Sequence, residues 1–168
     1  MFIILLIDMK NKTAEEYIRE CGKFIQSNFQ YSNFQPKNFV LASSEPDYFE
    51  ISRSISKSED ILQDKLRHLI LSKDLDEVEV YKKADIDRKL FSKLRTRPDY
   101  HPNKNTLIKL CLSMNLNSEE TDDVLKAAGY SLSSSLKSDL IIKYCFQKKI
   151  YDIITVNQIL DHFGEKIV

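Results

Sequence analysis

Helix-capping residues recur along this chain at intervals that suit only a bundle of short helices. Ser58 or Ser56, Asp76, Asp87, Asn103 and Asn117 each stand just ahead of an apolar run with helical spacing. A side-chain oxygen in such a place accepts from a backbone N–H two or three residues on, and each cap contributes about 0.5–2 kcal/mol. The runs behind the caps carry Ile61, Leu62, Leu66, Leu69 and Ile70, then Val78, Val80 and Tyr81, then Phe91 and Leu94. Leu107, Leu110, Cys111 and Met114 follow, and then Thr121, Val124, Leu125 and Ala128. Asn117 with Glu120 fits a capping box, and Gly129 can end its helix in a left-handed conformation. Three glycines and four prolines in 168 residues are too few turn-formers for a many-stranded sheet. The expected fold is mainly α, with five short helices over residues 58–130.

Helices are expected on both flanks. Thr13 and Glu16 fit a capping box ahead of Ala14, Tyr17, Ile18, Cys21, Phe24 and Ile25, which predicts an amphipathic helix over about 14–27. Near the other end, Leu136, Leu140, Ile141, Tyr144 and Cys145 predict a helix over about 136–147. A last helix follows a Thr155/Gln158 capping box, carries Val156, Ile159, Leu160 and Phe163, and stops at Gly164. Between the first helix and Ser58 the periodicity dissolves, yet Phe29, Tyr31, Phe34, Phe39, Tyr48 and Phe49 argue against simple disorder. The chain thus divides into an N-terminal segment and helix (1–30), a linker (31–57), the helical domain (58–130) and a C-terminal helical extension (131–168). The opening "MFIILLID" is far shorter than the about 20 residues a membrane span needs. It reads either as a buried strand, with "NFVLAS" and "YFEIS" its available partners, or as a leader ahead of a start at Met9.

Composition narrows the chemistry. The formal charge is zero, so any attraction to an anionic partner must come from a local patch. Cys21, Cys111 and Cys145 are far apart and odd in number, with no metal-ligand spacing, which points to buried thiols in a reducing, cytoplasmic setting. His68, His101 and His162 stand apart from one another, and there is no phosphate-binding glycine loop, HExxH or nucleophile elbow. The acidic pairs at 15–16, 119–120 and 122–123 fall in first helical turns, where they complement the helix dipole. No catalytic residue, cofactor, metal site or membrane partner is expected.

The most specific spacing lies within residues 76–126. "DEVEVYKKA" is followed by a tight turn at Asp85 and Ile86, and then by "DRKLFSKLR". A basic turn with a proline, the helix "NKNTLIKLCLSM" and a further helix complete the series. This arrangement resembles the helix-turn-helix domain of the lambda-repressor-like (Xre) family. The matching residues are Ala84, Ile86, Phe91, Leu94, Pro102, Asn103 and Leu116, and the resemblance covers about 70 of 168 residues. Asp85 stands where that family usually has glycine, the turn "RTRPDYHP" is longer, and Leu90 is apolar on a face the family often keeps polar. From Tyr81 onward the chain also resembles an uncharacterised bacterial tail module, through "YKKA-IDRKLFSK-R---DY-P-K-T", "AGY-LS" and "YDI". That likeness bears on architecture alone.

The helix-turn-helix resemblance implies a sequence-specific DNA-binding transcriptional regulator with its recognition helix, about 87–96, in the major groove. Arg88, Lys89, Ser92 and Lys93 would face base edges, opposite the core pair Phe91 and Leu94. Arg95, Arg97 and Lys104 would hold phosphates around the following turn. From Lys82 to Lys109 there are nine basic and three acidic residues, a net of +6. The acidic stretches "DLDEVEV" and "SEETDD" would then face away from the DNA. The alternative is a non-catalytic protein-interaction or adapter module on a repurposed helix-turn-helix fold, because fold does not fix function. Under either reading the two C-terminal helices need cover for their apolar faces: they could close the core, or form a homodimer face or a dock for a partner. The aromatic N-terminal arm would clip onto the domain or onto a protein partner.

Overall fold

A computed structural model describes residues 13–28, 62–97 and 99–168. These form eight α-helices and no strand: α1 (Ala14–Asn28), α2 (Leu62–Ser72), α3 (Glu77–Lys83), α4 (Arg88–Thr96), α5 (Lys104–Ser113), α6 (Ser118–Ala127), α7 (Lys137–Gln147) and α8 (Ile153–His162). "MFIILLID", both of its candidate partner strands, the aromatic linker, and Ser56, Ser58 and Ile61 lie outside the described residues.

The expected caps form where their side chains stand. Asp76 accepts from the Val78 N–H, Asp87 from Leu90 and Asn103 from Thr106. Asn117 and Glu120 complete a reciprocal capping box. One cap differs. α8 begins at Ile153 rather than behind Thr155, because the Asp152 carboxylate accepts from both the Thr155 N–H (2.8 Å) and its hydroxyl (2.7 Å). Thr155 lies inside the first turn as a donor, with the stronger acceptor three residues earlier.

The ends follow a single device in six of the seven helices α2–α8. A left-handed residue, with φ between 50° and 72°, follows each helix: Asp74, Asp85, Asn115, Gly129, Lys149 or Gly164. The next N–H then bonds back to the carbonyl five residues earlier, as in Leu75 to Ile70, Ile86 to Tyr81, Leu116 to Cys111 and Ile150 to Cys145, at 2.9–3.0 Å. This is the Schellman closure, and the residue after the turn, apolar in all but Glu165, lies against the last helical turn. α4 is the exception. It runs out at Arg97 in an extended conformation (φ −112°, ψ 103°).

α5 is the hub. Leu107, Ile108, Leu110, Cys111, Leu112 and Met114 are all buried, so it is apolar nearly all round and takes neighbours on several sides. α3 and α6 pack on it, α2 packs on α4 and α6, and α6 passes the core on to α7. Val78, expected inward, is 42 % exposed, because in so short a helix Val80 and Ala84, one turn apart, take the buried face. Leu90 is half-buried against the core, so its apolar side chain leaves the solvent face of α4 polar.

α1 packs on α7 and α8. Cys21 is fully buried, the Phe24 and Tyr144 rings meet at 5.6 Å, the Tyr144 hydroxyl donates to Glu20 at 3.1 Å, and Gly22 lies against Phe163. The cover required by the C-terminal helices therefore comes from within the chain. Leu136, Ile154 and Ile167 are the large apolar residues that this layer leaves exposed.

Two expectations follow. A Cβ at Gly129 would meet nothing within 4 Å, so only the backbone resists it. Gly129→Ala should cost about 1 kcal/mol, whereas Lys149→Gly, which relieves an L-residue at φ 55°, should gain about 0.5–1 kcal/mol. Thermal melts should separate the two in opposite directions by about 2–4 °C per kcal/mol. The second concerns Glu120. Burial alone would raise its carboxyl, but the Asn117 N–H and the Lys73 ammonium (2.9 Å) outweigh burial and hold it below the ordinary range. A depressed carboxyl stabilises the fold above its unfolded value of about 4.3 and loses that contribution as pH falls through the folded value. Melting temperature should drop on acidification below about pH 4.5, and Glu120→Gln should make that drop shallower.

Candidate nucleic-acid interface

α3, the Asp85 turn and α4 form a short corner. The turn closes with Asp85 at φ 51° and the Ile86 N–H on the Tyr81 carbonyl. Lys109 of α5 reaches the Asp85 carboxylate at 3.4 Å, and the Tyr81 and Phe91 rings meet at 5.8 Å across the corner. Phe91 and Leu94 bury one face of α4 beside Leu66 and Ile70 of α2. Burial of such side chains is worth about 1.5–3 kcal/mol each, which fixes the rotation of the helix about its axis.

That rotation turns Arg88, Lys89, Ser92 and Lys93 to solvent. Helical spacing sorts them into two stripes, Arg88–Ser92–Arg95 and Lys89–Lys93–Thr96. The first stripe borders a groove of about 320 Å³ whose other wall is Glu77, Val78 and Tyr81 of α3.

The seven candidate residues divide by what their charges already touch. Arg95 is exposed, but its Nη1 lies 2.6 and 2.8 Å from the two Glu77 oxygens, so it fastens α4 to the start of α3. This also corrects the expectation for "DLDEVEV": Glu77 faces the basic helix, because the α3 N-terminus lies alongside the last turn of α4. Lys104 is half-buried, with Nζ 2.7 Å from both oxygens of Asp139, which is only 5 % exposed. Asp139 also accepts from the Ser133 N–H at 2.8 Å. The Lys104 charge thus serves the joint between α5 and α7. Arg97 is exposed at the end of α4. Arg88, Lys89, Lys93 and Arg97 have no ion pair among the described residues, and Lys82 in the last turn of α3 joins them as a fifth such cation. Lys82 belongs to the basic excess of the sequence; only the pairing of its neighbour Lys83 with Glu79 shows which of the two is uncommitted.

Other reactive groups are dispersed or silenced. Burial pushes the Cys21 and Cys111 thiols up to about 12 and raises Cys145 as well. Such thiols are protonated at neutral pH and are poor nucleophiles. His68, His101 and His162 sit on α2, the α4–α5 turn and α8, and each is exposed. Among the described residues no cluster of His, Cys, Asp or Glu is placed to hold a metal ion, and no helix is long and apolar enough to cross a membrane.

The division of charges is testable by denaturation. Lys104→Ala leaves Asp139 buried without its cation and should cost about 3 kcal/mol. Arg95→Ala opens a solvent-screened pair and should cost about 0.2–1 kcal/mol. Equal, small losses for both would place Lys104 among the exposed charges. Set beside known proteins, the chain matches no family model, no curated relative and no solved structure.

Proposed function

We propose that residues 62–130 act as a lambda-repressor-like helix-turn-helix DNA-binding domain in a sequence-specific transcriptional regulator. α4 is the recognition helix and lies in the major groove. The observation that carries this reading is the solvent face of α4: Arg88, Lys89, Ser92 and Lys93 project from a helix whose opposite face is buried, and the three cations have no ion pair among the described residues. Arginine and lysine reach guanine acceptors, and serine serves several bases. Lys82 and Arg97 flank the helix as phosphate contacts, while Arg95 and Lys104 act in support, through Glu77 and Asp139.

The second reading, a protein-interaction module, draws on a different observation. Leu71 is 73 % exposed and Val78 42 % exposed, and both border grooves that Glu77 and Arg95 share beside α4. Exposed apolar residues next to mixed charges suit a protein partner.

Fluorescence anisotropy of a labelled mixed-sequence duplex, titrated at two salt concentrations, separates the two readings. On the DNA reading, binding weakens as salt rises, with log K falling by about 0.9 per phosphate neutralised for each decade of salt. Arg97→Ala should reduce that slope by about one phosphate on every sequence. Arg88→Ala and Lys93→Ala should weaken binding to a selected site with the melting temperature kept. Absence of binding at low salt, with the protein folded, would favour the interaction module.

A further inference from the structure

We propose that Gln63, Tyr130 and Asp139 are positioning residues that together hold the turn after α4, and Arg97 with it, from three other parts of the chain. α4 is the one helix among α2–α8 without a left-handed closure. Besides the local Tyr100-to-Arg97 bond, long-range ties hold the chain that follows it. Gln63 of α2 is buried and donates Nε2–H to the Arg97 carbonyl at 3.0 Å, an atom that also accepts from the Tyr100 N–H at 3.1 Å. The Tyr130 hydroxyl, just past α6, donates to the Pro102 carbonyl at 3.1 Å, and the His101 ring meets the Tyr130 ring edge-on at 5.7 Å. Asp139 of α7 holds Lys104 at 2.7 Å, at the point where the turn enters α5.

The three ties span 34, 28 and 35 residues of sequence. Each anchors a different point of the turn, at its start, near its end and at the first residue of α5. The C-terminal layer thereby reaches the end of this turn through Asp139. That this turn matters for binding rests on the DNA reading above. The tethering itself does not.

The test uses the full chain and the conservative variants Tyr130→Phe and Asp139→Asn. Tyr130→Phe keeps the ring against His101 and removes one hydroxyl. Amide hydrogen exchange comes first and needs no ligand. The Tyr100 amide should exchange about fivefold faster in Tyr130→Phe, the loss expected for one hydrogen bond, while amides in the middle of α2 keep their protection. Unchanged protection at Tyr100 in both variants would overturn the proposal. The second readout is the anisotropy titration. Tyr130→Phe should weaken duplex binding about threefold or more and lower the salt slope, and adding Arg97→Ala should then cost less than it does in the wild-type protein. Full additivity of the two substitutions would overturn the link from the tether to Arg97. A wild-type protein that binds no DNA, with faster Tyr100 exchange in the variant, would remove the DNA reading and leave the tether standing.

Discussion

The fold depends on chain reversal by left-handed residues. Its helices run from seven to fifteen residues, and isolated helices below about 12–15 residues are marginal in water. Each must be delivered onto a neighbour at once, and the repeated closure does that. It satisfies two carbonyls, turns the chain sharply, and, everywhere but at Glu165, brings an apolar residue back onto the helix it has just left. Asp85 shows the economy of the device: a short acidic side chain tolerates the left-handed region and also meets Lys109 of the central helix. The resulting short connections carry successive helices around α5.

Within that frame, charge has two employments. Some cations hold elements together: Arg95 joins α4 to α3, Lys104 joins α5 to α7, and Lys73 joins the end of α2 to α6 through Glu120. Others are left to solvent along α4 and its borders. A net basic count over a stretch of sequence adds the two kinds together. Only the partners distinguish them, and those partners come from more distant sequence, as Asp139 does for Lys104.

Much of the architecture was legible in the residues because its signals are local. Caps at Asp76, Asp87, Asn103 and Asn117, the stop at Gly129 and the apolar spacing of α5 and α7 involve neighbours within a few positions. What the residues did not disclose is non-local. The cover of α7 and α8 by α1 joins segments more than a hundred residues apart, as the Tyr144–Glu20 hydrogen bond shows. The engagement of Arg95 with Glu77 depends on how two helices lie, which periodicity does not encode. The start of α8 was misread for a chemical reason: Thr155 and Gln158 fit a capping pattern, but Asp152 competes for the same N–H with a charged oxygen. For the candidate interface, the outward face of α4 followed from its apolar pair, whereas the commitment of individual cations did not.

The three buried thiols make the protein its own clock. Cys21 and Cys145 sit in the layer of α1 and α7, and Cys111 sits in the hub helix. None is reachable in the closed state, and burial keeps all three protonated. A thiol reagent therefore labels each only at the rate at which its surroundings open. Labelling kinetics resolved by site would time the breathing of the outer layer and of the central bundle separately, with no substitution made and no probe attached beforehand.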